Sequence, residues 1–130
     1  MYYFAYGSNL NRKQMREHCL ESTPRSLATL PNYKLVFVGW SRQWRGGVAS
    51  IKPFGGEKVL GAIYEVSESC LKKLDKYESS YNRLKVTIFD EDGQSFEVIT
   101  YIKSGQSEEE KPSAEYLSVI QQGYRDWGIV

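Results

Sequence analysis

Tyr3-Phe4-Ala5-Tyr6-Gly7-Ser8-Asn9-Leu10 opens the chain as a short apolar run that breaks at a glycine and is followed by polar residues from Asn11 onward. The reading is a strand, a turn and the first turn of a helix, in that order. The leading amides of a helical turn have no acceptor within it and carry the positive end of the peptide dipoles. A strand, a glycine turn and a helix start can therefore aim backbone N–H groups at one point, which suits an anion. Neither the dinucleotide fingerprint nor a Walker pattern accompanies the glycine. Read from the residues alone, the segment is rather an ordinary strand-to-helix turn with Asn9 or Asn11 as its cap.

Working outward, Met1 to Tyr6 reads as a strand and Asn11 to Cys19 as a helix with a charged outer face. Leu27 to Leu30 and Tyr33 to Trp40 read as strands parted by a Pro31-Asn32 turn. Val48 to Pro53 and Val59 to Val66 read as strands around Phe54-Gly55-Gly56, with Ser41 to Gly47 as a polar loop before them. Ser67 is placed to cap a helix from Glu68 to about Tyr77, whose acid comes early and whose lysines come late, as the helix dipole favours. Leu84 to Phe89 and Ser95 to Ile102 alternate apolar and polar residues around Asp90-Glu91-Asp92-Gly93, a hairpin pattern. Ser104 to Lys111 is a polar, acidic linker, and Pro112 opens a last helix from Ser113 to about Gly123. Most connections are too short for parallel crossovers, so the class is α+β, one domain over residues 1–130.

Composition narrows the function. Seventeen basic against sixteen acidic residues leave no charge stripe for nucleic acid. No apolar run approaches a membrane span. Met1 leads into a strand without a basic, apolar leader, which favours a cytoplasmic protein. The two cysteines, Cys19 and Cys70, are too few for a disulfide scaffold and read as buried or half-buried thiols of a reducing compartment. The one histidine, His18, has no acidic or cysteine partner at ligand spacing, so no metal is expected; it reads as a solvated side chain at a helix end. Ser8 lacks the second glycine of a nucleophile elbow, which disfavours a serine hydrolase.

Among the sixteen acids, Glu78 stands out because it follows Leu71, Leu74 and Tyr77, where an amphipathic helix runs out before a turn into a strand. A carboxylate drawn into a pocket at such a junction loses solvent, and its pKa climbs toward neutrality, where it can serve as a base. By its position alone it is also one more exposed acid.

Taken together, several blocks resemble the γ-glutamylcyclotransferase family. They are Tyr3 to Leu10, Asn32 to Phe37, Gln43 to Ile51 with Trp44 and Gly46-Gly47, Leu74-Asp75-Lys76-Tyr77-Glu78, Tyr81 to Val86, and Pro112 to Tyr116. They keep the family's order and cover nearly the whole chain. The resemblance implies a small, partly closed antiparallel or mixed β-barrel with flanking helices. It implies cyclisation of a small-molecule γ-glutamyl substrate to 5-oxoproline, with no cofactor. It carries the catalytic acid/base onto Glu78. It carries substrate binding onto Tyr3, Phe4, Ala5, Tyr6, Gly7, Ser8, Asn9, Leu10 and Tyr116, with Tyr81 and Tyr101 lining the pocket. The chain departs from the pattern at Ser79, where a glycine is usual, and at Arg45, where a histidine is frequent. Both bear on the group beyond the scissile bond, so a γ-glutamylamine substrate stays open. A binding module for a small carboxylate is the other alternative, and the oligomeric state is open, a homodimer included.

Overall fold

The computed structural model describes residues 1–103 and 108–129. Five strands, β1 (Tyr2–Ala5), β2 (Thr23–Ser41), β3 (Gly46–Glu65), β4 (Tyr81–Asp90) and β5 (Ser95–Lys103), accompany three α-helices, α1 (Arg12–His18), α2 (Glu68–Tyr77) and α3 (Ala114–Asp126). The strands close into a barrel in the order β1-β3-β2-β4-β5. Every pairing is antiparallel except β1 with β5, which meet in parallel at Tyr3 and Ile99. The barrel is thus mixed, as expected, and its closure between β1 and β5 rests on the single Tyr3–Ile99 pair.

Two expected turns are absent as chain reversals. Pro31-Asn32 does not end a strand: β2 runs through it, with Asn32 at φ 62 and a shift of register between Pro31 and Tyr33. Opposite it, Phe54-Gly55-Gly56 is an exposed excursion within the continuous β3, with Gly56 at φ 88 and its amide donating to Asn32 Oδ1 at 3.2 Å. Turn-forming residues in a long, strongly bent hairpin make a bulge, because pairing on both sides holds the strands together. The linker reading of Ser104 to Lys111 falls partly on residues outside the described ones; from Glu108 the backbone pairs with β2, Gly39 N–H donating to Glu108 O at 3.0 Å and Glu110 N–H to Phe37 O at 2.9 Å.

The strand period of two explains why β1 is the hub. Phe4 points into the barrel core with Leu30, Ile51, Ile63, Ile88 and Val98. Tyr3 and Ala5 point outward into a second core with Leu10, Met15, Leu71, Leu74 and Trp127, where the helices dock. The helix caps follow the sequence: Asn11, Ser67 and Ser113 accept from the amides three residues on, those of Gln14, Cys70 and Tyr116. Gly46 and Gly47 have a positional reason. A Cβ on Gly47 would collide with the Glu110 backbone, so the segment leading to α3 is seated directly on β3.

The cysteines correct the sequence reading. Cys19 and Cys70, 5.6 Å apart at Cα, are joined as a disulfide that ties the end of α1 to the first turn of α2. The pairing was hidden in the sequence because the two are separated by 51 positions and meet only when both helices pack on β1. No helix among the described residues is long and apolar enough to cross a membrane.

Candidate active site

One cavity of about 370 Å³ opens where the end of β1, the end of α2, and the start of α3 converge on β3. Tyr3, Tyr6, Gly7, Ser8 and Asn9 line it, together with Glu78, Tyr81, Tyr101 and Tyr116. Three residues of the opening segment do not. Phe4 is in the barrel core, and Ala5 and Leu10 are fully buried in the outer core. Their part is to fix the backbone on which the others sit.

That backbone is held tightly. Residues Ser8–Leu10 make one 3-10 turn, closed by Leu10 N–H donating to Gly7 O and Asn11 N–H to Ser8 O, each at 3.0 Å. The amide of Leu10 is therefore spent, and anion-binding donors have to come from earlier in the turn. Trp127 Nε1 donates to Leu10 O at 3.0 Å, and Gly123 lets α3 lie against Leu10 and Asn11 where a Cβ would clash. Asn9, buried to 3%, donates from Nδ2 to Tyr3 Oη at 3.0 Å, while Tyr64 Oη donates to its carbonyl at 3.1 Å. Gln14 Nε2 reaches both Ser8 Oγ, at 2.7 Å, and Asn9 Oδ1, at 3.1 Å. Gln14 was not anticipated from the sequence; one more polar residue in a charged helix carries no local signal.

A ring of tyrosine hydroxyls shapes the wall. Tyr6 Oη donates to the Tyr101 carbonyl at 2.6 Å and Tyr81 Oη to the Ala49 carbonyl at 2.6 Å. The Ala49 N–H in turn donates to Tyr116 Oη at 2.9 Å. Tyr116 is buried, and the centroid of its ring lies 5.0 Å from that of Trp44. Burial raises the hydroxyl pKa of Tyr3, Tyr6 and Tyr81, and pushes Tyr116 up to about 12. All four therefore remain protonated at neutral pH.

Glu78 caps the C-terminus of α2, with its N–H donating to Leu74 O at 2.8 Å and its carbonyl accepting from Tyr81 N–H at 2.9 Å. Loss of solvent pushes its carboxyl up to about 7, against a smaller opposing pull from the Lys103 ammonium. The last turn of α2 that presents it is anchored from outside. Arg83 on β4 donates to both carboxylate oxygens of Asp75, at 3.0 and 2.8 Å, and to Glu68 at 3.0 Å. Tyr101 Oη donates to Asp75 Oδ1 at 2.6 Å. His18 departs from the solvated reading. It stacks on Tyr77 with ring centroids 3.8 Å apart, lines the cavity beside Glu78, and burial lowers its pKa. Trp40 at the end of β2, and Gln43 and Trp44 in the β2–β3 connection, also line the cavity.

A closed mixed barrel with a cavity walled by tyrosines and holding one desolvated carboxylate defines a small-molecule enzyme site able to move a proton near neutral pH. The chain matches the family described as gamma-glutamyl cyclotransferase, AIG2-like, over residues 3–124, and it belongs to that family of enzymes. It is 31% identical to a gamma-glutamylcyclotransferase of Bos taurus, an alignment covering 98% of this chain and 71% of the relative. A solved structure named gamma-glutamyl cyclotransferase superposes with a TM-score of 0.95 at 27% identity, covering 99% of this chain and 80% of that one. An AIG2-like protein of Mus musculus is more distant, with a TM-score of 0.64 at 26% identity over 89% of this chain and 81% of that one.

Proposed function

We propose that this chain cyclises the γ-glutamyl group of a γ-glutamyl amino acid or peptide, releasing 5-oxoproline and the free amine, with Glu78 as general acid and base. The observation that carries the assignment is the desolvated Glu78 carboxyl, with a pKa of about 7, in the wall of the same cavity as the Tyr3–Asn9 segment. The reaction is intramolecular, so the protein has mainly to fold the substrate until the α-nitrogen lies against the side-chain carbonyl carbon. The ionised Glu78 takes a proton from the α-ammonium. The freed amine attacks, a five-membered lactam forms, and the bond from the carbonyl carbon to the leaving nitrogen breaks. Glu78, now protonated, gives its proton to the leaving nitrogen as that bond breaks, and the regenerated carboxylate takes the second proton from the attacking nitrogen and passes it to the released amine, so that a neutral lactam and an ammonium depart. A pKa near neutrality serves both halves, since the group is available as base and as acid at one pH.

The substrate α-carboxylate is assigned to the amides at the beginning of the 3-10 turn, from Gly7 to Asn9, residues that line the cavity. Protonated Tyr3, Tyr6 and Tyr116 supply neutral hydroxyls around the γ-glutamyl head without adding negative charge beside Glu78. A cytoplasmic location belongs to this reading. The Cys19–Cys70 bond pulls against it, because such bonds persist mainly in oxidising compartments, and cell fractionation decides the matter. The activity is tested by 5-oxoproline release from a panel of γ-glutamyl dipeptides, γ-glutamylamines and glutathione. Release from at least one is expected; binding of 5-oxoproline with turnover of none would make the site a carboxylate-binding module.

A further inference from the structure

The cavity has an unused charge. Among the described residues that line it, Lys103 is the only lysine or arginine. It ends β5 directly opposite Tyr81 on β4, and its amide donates to Ser50 Oγ at 3.0 Å, so its backbone is set by the barrel. Its ammonium is also held: Nζ donates to Ser80 Oγ at 2.7 Å and lies 5.3 Å from the centre of the Tyr81 ring. An ammonium has three donors. Ser80 takes one, and the ring face contributes a cation–π contact rather than a full acceptor. Donor capacity remains for an anion at the cavity rim.

The γ-glutamyl head, on the reading above, places its own α-carboxylate at the turn that follows β1 and its α-ammonium at Glu78. Tyr81 Oη is bound to the Ala49 carbonyl, and Ala49 touches the site of Gly7, where an added Cβ would lie 3.1 Å from the Ala49 side chain. The Tyr81 ring therefore reaches from the Ala49 wall beside Gly7 to the Lys103 ammonium. With the α-carboxylate of the head assigned to the turn, Lys103 is the lining cation left for a second carboxylate, and on a γ-glutamyl substrate that lies beyond the scissile bond.

We propose that Lys103 is a specificity residue that binds a carboxylate on the leaving group, so that the site takes γ-glutamyl amino acids and peptides and disfavours γ-glutamylamines whose leaving group is a cationic di- or polyamine. The inference rests on the γ-glutamyl reading of the cavity. Charge balance favours it. A γ-glutamyl amino acid brings two carboxylates and one ammonium to a cavity whose resident charges are Glu78 and Lys103. A γ-glutamyl diamine brings one carboxylate and two ammonium groups, and the second would have to lie against Lys103.

The test compares γ-glutamylalanine with γ-glutamylalaninamide, which differ in size by almost nothing and in charge by the leaving-group carboxylate. The wild-type protein is expected to show a kcat/KM about tenfold higher for the acid, the size of one charge-assisted hydrogen bond at a partly exposed site. Lys103→Met should bring the two compounds within about twofold, mainly through KM for the acid, and Lys103→Glu should reverse the order. Removing Lys103 also raises the Glu78 pKa, but it does so for both compounds alike, so their ratio is unaffected. Turnover of both compounds without discrimination by the wild type, or discrimination retained in Lys103→Met, overturns the role of Lys103 and leaves the activity standing. Absence of 5-oxoproline release from both compounds and from every γ-glutamyl compound of the wider panel overturns the activity and this inference with it. Circular dichroism and thermal melts of both variants establish that any change arises in a folded protein.

Discussion

Glu78 draws its chemistry from where its helix stops. A carboxylate in the first turn of a helix is stabilised by the dipole, whereas at a C-terminus it faces the carbonyl end. Burial there raises its pKa to about 7. Glu78→Gln keeps the shape and removes the proposed proton carrier, so turnover is expected to fall by about 10²–10⁴-fold while 5-oxoproline still binds. The wild-type kcat/KM should rise with pH through about 7, as the base ionises, and the variant should lack that limb. The sign for stability is opposite. An acid whose folded pKa is raised favours the protonated form on folding, so stability is lost as pH climbs from the ordinary carboxylate range through about 7. Glu78→Gln should therefore melt higher than wild type at pH 8 and no higher at pH 4. An unchanged melting difference between those two pH values would mean the carboxyl is not desolvated.

Tyr116 holds a bond within the fold and, on the proposed reading, also serves the site. Its hydroxyl accepts the Ala49 amide at 2.9 Å and also lines the cavity. Tyr116→Phe leaves a buried N–H without its acceptor, at a cost of about 1–3 kcal/mol in stability by urea denaturation. Titration of 5-oxoproline into Glu78→Gln and into Glu78→Gln/Tyr116→Phe reads the site role separately. Weaker binding by the double variant is expected, and equal affinity would leave Tyr116 with the structural role alone.

At the scale of elements, α2 presents Glu78 and β4 holds α2 in place. The fork of Arg83 on Asp75, with its further bond to Glu68, clamps the two from the outside, its side chain 32% exposed. It acts by positioning, not by touching substrate. Arg83→Ala is expected to lower kcat several-fold with KM little changed, and to lower stability by less than about 1 kcal/mol, as partly exposed pairs do. Arg83→Lys restores charge without the planar fork and should recover only part of the kcat. A variant whose kcat is untouched would mean that the last turn of α2 holds itself.

At the scale of the whole molecule, Cys19–Cys70 is the covalent link between the two helices that flank the cavity. Bonds that close loops of this order stabilise by about 2–4 kcal/mol, chiefly through the unfolded chain. Denatured but unreduced protein should show no titratable thiol, and reduction should lower the melting temperature. Because His18, next to Cys19, stacks on Tyr77 in the cavity wall, reduction is also expected to raise KM while the circular dichroism of the folded protein stays unchanged. Two free thiols in protein isolated without reductant would remove the bond from the fold.

The helix caps, the β4–β5 hairpin, the strand-turn-helix opening and the junction position of Glu78 were all legible in the chain, because each depends on neighbours within a few residues. The family resemblance extended that reading to the barrel and to Tyr116. What the sequence could not show is long-range. Pro31-Asn32 and Phe54-Gly55-Gly56 carry the same local chemistry whether they reverse the chain or bulge it; cross-strand pairing over the full length of β2 and β3 decided for the bulge. Gln14, His18 and Lys103 have no local signal at all and became part of the cavity only when α1 and the end of β5 were brought beside Glu78. Local preference settled where elements begin and end. Tertiary packing, which no stretch of a few residues contains, set the pKa of Glu78, the donor to the Tyr116 hydroxyl and the partner of each cysteine, since each depends on what another part of the chain brings near or excludes from water.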